Sequence, residues 1–192
     1  MDINSDIKYQ LKKALALRQK ASIRDRKRKP SAVLIPIYFW QGQNYILFTR
    51  RTQLVRYHKG EISFPGGGYH RADGSLLNTA LRESFEEIGL KPSDVEVLGE
   101  LDDVPTHISN YVITPFVGAI HPEYKFKLSN FEIAELIQIP LADLLAKDCF
   151  REEPVIDLKD RTVVPFAYAY QGKLITGATA RILRQLLDII SL

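Results

Sequence analysis

The stretch that decides the fold is Arg82–Leu90, which reads RESFEEIGL. It spaces Glu83, Glu86 and Glu87 three and four residues apart, so a helix presents these carboxylates on one face. Like charges at that spacing repel each other, and a hard divalent cation such as Mg²⁺ prefers carboxylate oxygens. The stretch therefore predicts a helix that carries a metal site.

The residues around this stretch argue against a plain solvated acidic helix. Upstream apolar residues recur at helical spacing and can dock the helix on a core. Ser75 suits the N-cap and Gly89 suits the helix end, so we predict a helix from about Ser75 to Ile88. The turn Phe64–Gly68, FPGGG, lies just upstream and allows a close approach of the backbone to a ligand.

Turn and helix together resemble the Nudix box, the signature of diphosphate hydrolases. Gly68 matches the first glycine of that box, and Arg82–Leu90 matches its second half. The resemblance implies that Glu83, Glu86 and Glu87 bind Mg²⁺ or Mn²⁺ and take part in catalysis.

Two positions depart from the box. Ser84 stands where an apolar residue is usual, and Gly74 stands where an upstream Glu is usual, with Asp73 one residue earlier. In the family that Glu supports the box more than it performs chemistry, so the metal site is retained. We expect Asp73 to hold the loop instead, and Arg82 to hold neighbouring carboxylates through ion pairs.

A second pattern precedes the box. Leu47–Gly67 reads LFTRRTQLVRYHKGEISFPGG and is similar to the motif of coenzyme A pyrophosphatase-type Nudix hydrolases, with Arg51, Arg56 and Phe64–Gly67 in register. Arginine forks and exposed backbone amides suit a phosphate ligand. Strand alternation sends Arg50 and Arg51 to opposite faces, and the register of the resemblance selects Arg51. The substrate-binding residues so implied are Arg51, Arg56, Gly66, Gly67 and Gly68.

Further candidates lie outside the two motifs. Glu132 and Glu135 precede Ile139, in a region where Nudix enzymes often keep an extra carboxylate near the metals. Either residue would bind a second cation or orient water, or else be an exposed edge-strand side chain. His107 and Tyr111 lie in a loop between two strands that would cover the substrate or remain plain surface.

The resemblance implies metal-assisted hydrolysis of coenzyme A or an acyl derivative to 3′,5′-ADP and a phosphopantetheine product. Glu86, Glu87 or a loop carboxylate such as Glu135 would accept the proton of the attacking water. Two alternatives stay open. One keeps the chemistry on ADP-ribose or a nucleoside triphosphate, and the other is a nucleotide-binding module without catalysis.

Composition is typical of one globular domain. The chain has 192 residues, of which 45% are hydrophobic and 26% charged, enough to bury one sizeable core. A single cysteine, Cys149, excludes an internal disulfide and a cysteine-based zinc site. No apolar run approaches the length of a membrane span and the N-terminus lacks a signal-peptide core, so we predict a cytoplasmic protein without a membrane partner.

Positive charge is concentrated at the start of the chain. Residues 1–30 hold ten Lys or Arg against three Asp, and Ile3, Ile7, Leu11 and Leu15 recur at helical spacing. We expect this extension to form an amphipathic helix that packs on the domain or on a second copy in a homodimer. Nucleic-acid binding is disfavoured because no aromatic platform accompanies the charge.

The remaining residues, 31–192, alternate strand and helix patterns. A strand is predicted over Ala32–Trp40, where Pro36 indicates an edge or a bulge, and a second over Tyr45–Thr49. A last helix is predicted from Thr176 to about Ile190. Further predicted strands are Val95–Leu101, Val112–Ile120, Ile133–Ile139 and Thr162–Tyr170. The resemblance implies an α/β fold, a Nudix-type α/β/α sandwich around a mixed β-sheet.

Overall fold

The computed structural model describes residues 3–54, 59–106, 109–152, 156–157, 162–163 and 166–191. Within these ranges the helices are Ile3–Leu17 (α1), Leu76–Ile88 (α2), Leu141–Leu145 (α3) and Gly177–Ile190 (α4). The strands are Lys29–Trp40 (β1), Gln43–Arg51 (β2), Ile62–Ser63 (β3), Gly66–Gly68 (β4), Glu96–Glu100 (β5), Val104–Pro105 (β6), Tyr111–Ala119 (β7), Ile133–Pro140 (β8), Phe150–Glu152 (β9), Ile156–Asp157 (β10), Thr162–Val163 (β11), Phe166–Tyr170 (β12) and Lys173–Ile175 (β13). No helix in these ranges is both long and apolar enough to cross a membrane.

The main sheet is mixed and is built around β1. Strand β1 pairs antiparallel with β2 and β4 on one side and parallel with β7 on the other. The order along the sheet is β3-β2-β1-β7-β5, with β8 paired to β2 and β6 paired to β7. A smaller sheet has the order β13-β12-β9, and β10 pairs with β11. The short strand β4 thus brings the glycine turn to the middle of the main sheet.

Helices cover both faces of this sheet. Along β1, Ala32 and Leu34 point into an apolar cluster with Ile88 of α2. Ile35 and Ile37 point the other way, into a larger cluster that includes α1 and α4. This alternation follows from the two-residue repeat of a strand and buries both faces. The predicted α/β/α sandwich is confirmed.

The box helix has the predicted ends. The Ser75 hydroxyl accepts a hydrogen bond from the Asn78 amide at 3.1 Å, which caps the first turn of α2. Gly89 ends the helix in the left-handed conformation, with φ of 70°. The last helix, α4, also agrees with prediction, and its apolar residues Ile182, Leu183, Leu186 and Leu187 are buried.

Of the two alternatives predicted at Pro36, an edge strand or a bulge, the edge strand is wrong. Strand β1 is central, and Pro36 lies between its two partner segments on one side. Val33 pairs with Gly66 of β4, and Ile37 pairs with Ile46 of β2. Leu34, two residues before the proline, sends its amide to that side and donates to the Pro65 carbonyl at 2.9 Å. Pro36 therefore lies where β1 changes its partner from β4 to β2. Because no described strand pairs with β1 on that side at this point, the amide hydrogen that proline lacks costs no hydrogen bond between strands there.

The basic N-terminal helix packs on the domain, as expected. Leu11 and Leu15 of α1 are buried in the same core cluster as α4 and β5. Three of its neighbours across the contact are acidic: Glu96 lies 2.6 Å from the Lys8 ammonium and 3.3 Å from that of Lys12. In the segment that follows α1, Arg18 forms an ion pair with Asp102 and Lys20 forms one with Glu100. The extension thus lies against an acidic edge of its own domain.

Candidate active site

The glycine strand β4 and the box helix α2 meet at the predicted site. The Glu83 carboxylate faces Gly67 so closely that a Cβ there would lie 2.4 Å from Glu83 Cδ. The Gly66 amide donates to Glu87 Oε2 at 3.2 Å. Gly67 therefore leaves room for the Glu83 carboxylate, and the Gly66 amide contacts the Glu87 carboxylate. The sequence had assigned both glycines to substrate binding.

Glu87 is the most deeply buried carboxylate of the three. Its exposed fraction is 3%, and its Oε1 lies 3.2 Å from Nη1 of Arg51. Burial raises the pKa of Glu87 to about 8, although the Gly66 amide and the Arg51 guanidinium act in the opposite direction. The Arg51 guanidinium and the Gly66 amide thus compensate this charge only in part.

Within the described ranges, the Arg51 guanidinium is only partly paired. Its Nε is buried and makes no hydrogen bond to any residue of the described ranges. A buried, unpaired guanidinium donor beside a carboxylate cluster suits an anionic ligand such as a phosphate oxygen.

Glu83 and Glu86 share one arginine. Nη1 of Arg82 lies 2.8 Å from Glu83 Oε1 and 3.0 Å from Glu86 Oε2. Burial raises the pKa of Glu83, against the effect of Arg82. The Glu86 side chain is more than half exposed, whereas that of Glu83 is mostly buried. Arg82 therefore has the ion-pair role that its position predicted.

Asp73 holds the loop before the helix. It accepts hydrogen bonds from Arg82 Nε at 2.8 Å, from the Thr79 hydroxyl at 2.8 Å and from the His70 amide at 3.0 Å. The bond from Arg82 holds the pKa of Asp73 well below its usual range. The next residue, Gly74, adopts the left-handed φ of 71°. The expectation that Asp73 holds this loop is confirmed.

The structure separates the two acidic candidates beyond the box. Glu135 Oε1 lies 3.0 Å from Arg50 Nη2 and 3.4 Å from Lys173 Nζ. Glu132 Oε2 lies 3.9 Å from Arg51 Nη2, and its charge helps to raise the pKa of both Glu83 and Glu87. The fold therefore brings Glu132 toward the carboxylate cluster and gives Glu135 other partners.

The remaining sequence candidates are placed as follows. The Gly68 carbonyl accepts a hydrogen bond from Arg82 Nη2 at 3.2 Å. Tyr111 lies beside Gly68, with its ring 3.8 Å from where a Cβ would stand. Arg56 and His107 lie outside the described residues.

Comparison with known proteins agrees with this geometry. A family model for the NUDIX domain matches residues 27–158. The chain belongs to the Nudix family. It is 35% identical over 159 residues to the "uncharacterized Nudix hydrolase NudL" of Pectobacterium atrosepticum, which covers 83% of this chain and 81% of that protein. Identity to the protein of that name from a strain of Escherichia coli is 33% over 178 residues, covering 93% and 91%.

Solved Nudix structures share the fold. A MutT/nudix family protein from Enterococcus faecalis matches with a TM-score of 0.57 and 13% identity, over 97% of this chain and 74% of that one. The family match and the similarity to Nudix hydrolases NudL make the chain a Nudix hydrolase, an enzyme acting on pyrophosphate bonds in derivatives of nucleoside diphosphates. Nudix hydrolases generally need divalent metal ions.

The residues of this Nudix hydrolase suit such an ion, although they are not arranged around one. No group of three or more His, Cys, Asp or Glu within the described ranges has a geometry that would hold a metal ion. Arg82 pairs with both Glu83 and Glu86. The donors are nevertheless hard carboxylate oxygens, and burial raises the pKa values of Glu83 and Glu87. A divalent cation is the kind of charge that would compensate them.

Proposed function

We propose that this Nudix hydrolase cleaves the diphosphate of coenzyme A or an acyl derivative into 3′,5′-ADP and the corresponding 4′-phosphopantetheine. One observation carries the proposal, the ion pair of 3.2 Å between Arg51 and Glu87. Arg51 belongs to the upstream motif that resembles coenzyme A pyrophosphatases, and Glu87 belongs to the Nudix box. The contact supports the view that the two motifs serve one site.

In this proposal Arg51 binds the diphosphate. Its Nε has no partner among the described residues and offers a phosphate oxygen a charge-assisted hydrogen bond, while Nη1 stays with Glu87. Arg56 is proposed as a second phosphate ligand on the register of the resemblance alone. Gly66, Gly67 and Gly68 are proposed as substrate-binding residues on the resemblance. Of the three, Gly68 has the most open surroundings, since among the described residues a Cβ there would meet only the Tyr111 ring, at 3.8 Å.

Glu83, Glu86 and Glu87 are proposed to hold Mg²⁺ or Mn²⁺. When bound, such a cation neutralises charge on diphosphate oxygens and makes water a better nucleophile. The protein's part is to keep the carboxylates in place. Gly67 leaves room for Glu83, and the Gly66 amide fixes Glu87. Arg82 anchors the same helix face to the Asp73 loop.

Glu132 is the proton acceptor that the geometry favours. Its side chain is 43% exposed and lies beside Arg51, so water reaches it. Glu135, the candidate favoured by sequence, lies within ion-pair distance of Arg50 and Lys173, although its Oε1 accepts no hydrogen bond within the described ranges. We expect Glu132→Gln to lower kcat by about 10²- to 10⁴-fold, the usual loss for a general base. The matched Glu135→Gln should lose much less, and the reverse order in steady-state kinetics would return the role to Glu135.

The reaction is tested by offering coenzyme A, ADP-ribose and a nucleoside triphosphate separately with Mg²⁺ and identifying products by mass. Release of 3′,5′-ADP from coenzyme A, lost in Glu87→Gln, would support the proposal. Glu123→Gln is the matched control, because Glu123 is exposed and lies outside the site. Cleavage of ADP-ribose alone would retain the mechanism and reject the substrate. No turnover with either Mg²⁺ or Mn²⁺ would favour a binding module.

The cytoplasmic location and a homodimer stay predictions.

A further inference from the structure

A cationic cleft lies beside the box helix and shares Glu86 with the site described above. It has a volume of about 630 Å³ and lies between the C-terminal end of α2 and the segment Tyr124–Ser129. We call it the lysine cleft. Its lining includes Lys91, Lys125, Lys127, Phe85, Tyr124 and Glu86. The volume lies in the range of small-ligand sites. Because Glu86 lines it, the lysine cleft adjoins the proposed diphosphate site.

The ammonium groups of the three lysines take no part in holding the described residues together. All are exposed, and no ion pair or hydrogen bond joins their ammonium groups to another residue of the described ranges. A lysine near a helix C-terminus often serves the last carbonyls. Here other groups already do so. The Ile88 carbonyl accepts from the Lys127 amide at 3.0 Å, and the Gly89 carbonyl accepts from the Tyr124 hydroxyl at 2.8 Å.

The charge of the cleft favours an anion. The lining holds three lysines against two acidic residues, Asp94 and Glu86, and Glu86 is already paired with Arg82 at 3.0 Å. Three ammonium groups around one cleft suit a phosphate monoester, which carries close to two negative charges at neutral pH. Phe85 adds an apolar surface, since its ring is 51% exposed although it lies on the helix of the metal box. A flat ring such as a nucleobase can pack on that surface.

We infer that the lysine cleft binds the 3′-phosphorylated adenosine half of the substrate, with Lys125 and Lys127 contacting the 3′-phosphate. The inference rests on the proposed function, because coenzyme A carries this phosphate monoester and ADP-ribose does not. The 3′-phosphate would then be the group by which the enzyme distinguishes coenzyme A from ADP-ribose. Lys91 and Phe85 complete the cleft on the side of α2.

The test compares coenzyme A with dephospho-coenzyme A, which has the same diphosphate and lacks only the 3′-phosphate. The wild type should prefer coenzyme A by roughly tenfold in kcat/KM, since each exposed ion pair contributes a factor of a few. The double variant Lys125→Gln with Lys127→Gln should lose most of this preference and keep its rate on dephospho-coenzyme A. Lys147→Gln, an exposed lysine outside the cleft, is the matched control.

Two other outcomes overturn the inference. Equal rates on both substrates in the wild type would show that no group reads the 3′-phosphate. An equal loss on both substrates in the double variant would mean that the lysines contact the diphosphate itself.

A binding measurement separates this inference from the proposed reaction. Calorimetry should show 3′,5′-ADP binding roughly tenfold tighter than 5′-AMP, with the difference removed by the double variant. If that difference in affinity is found without turnover of coenzyme A, the proposed reaction is wrong, whereas the inferred binding of the 3′-phosphate in the lysine cleft is supported. If coenzyme A is cleaved and the lysines change neither binding nor selectivity, the reaction stands and the inference fails.

Discussion

Gly67 shapes the site by what it lacks. A Cβ at this position would lie 2.4 Å from Glu83 Cδ, which is the movable end of a side chain. Gly67 has no left-handed φ, so alanine fits its backbone and the fold should be retained. The Glu83 carboxylate must then move. We expect Gly67→Ala to lower kcat about 10²-fold, the usual effect of a displacement near 1 Å in a catalytic group.

Gly68→Ala is the comparison for this variant. The nearest atom to its added Cβ would be a ring carbon of Tyr111 at 3.8 Å, an ordinary contact. Steady-state kinetics with saturating Mg²⁺ should show a loss of only a few-fold there. Equal losses in the two variants would mean that the Glu83 carboxylate does not depend on the space at Gly67.

The Asp73 carboxylate makes the stability of the loop depend on pH. Hydrogen bonding from Arg82 lowers the pKa of Asp73 from its ordinary value of 3.8. A lowered carboxylate pKa stabilises the fold above pH 3.8, and that contribution is lost as the pH falls below it. Asp73→Asn should therefore unfold at lower urea concentration than the wild type at pH 7. The difference should shrink as the pH falls below the ordinary range of Asp.

Restoring the usual Glu should not rescue this variant. Gly74 has a φ of 71°, and a side chain there costs roughly 1–2 kcal/mol. We expect Asp73→Asn with Gly74→Glu to be less stable than Asp73→Asn alone in the same urea titrations. A gain in stability would show that the loop can adopt the usual arrangement of the family.

At the scale of elements, α1 is part of the core. Leu11 is 2% exposed and packs in the cluster that joins α1 to α4 and β5. Leu11→Ala should lower the free energy of unfolding by about 2–5 kcal/mol, the usual cost of a core leucine. Leu17→Ala is the same change at the end of α1, where the side chain is 77% exposed, and should cost within about 0.5 kcal/mol. Similar midpoints in urea would mean that α1 docks weakly.

Elements with a strong local signal were predictable from sequence. Helix α2 combines apolar periodicity with a serine cap and a glycine end, so its limits follow from local chemistry. Strand β4 could not be predicted, because Gly66–Gly68 has no side-chain pattern and becomes a strand only by pairing with β1. The five-residue helix α3 is likewise too short to leave a periodic signal.

The same limit explains the acidic candidates of the site. The glutamates of the box follow from helical spacing, which is local. The choice between Glu132 and Glu135 depends on how β8 pairs with β2. There Arg50 lies opposite Glu135, and the register shifts before Arg51 pairs with Ile133. Spacing in the sequence does not reveal a register shift, so it could not decide between them.

At the scale of the whole molecule, charge is less polarised than the sequence suggests. Residues 1–30 hold ten of the 26 Lys and Arg residues. In the fold several of these cations meet acidic partners on and after β5. Lys8 and Lys12 lie beside Glu96, Arg18 beside Asp102 and Lys20 beside Glu100. Part of the positive charge of the basic extension is therefore neutralised by ion pairs within the molecule.

This pairing predicts weak binding to nucleic acid. Nonspecific affinity depends on cations that can reach phosphates, and typical values of Kd are about 10⁻⁴ to 10⁻⁶ M at physiological salt. We expect single-stranded RNA to bind no tighter than that in fluorescence anisotropy. Glu96→Gln with Asp102→Asn releases Lys8, Lys12 and Arg18 and should tighten binding several-fold, with a steeper salt dependence. A nanomolar Kd for the wild type would instead make the extension an RNA-binding element, because internal pairing would then have failed to mask it.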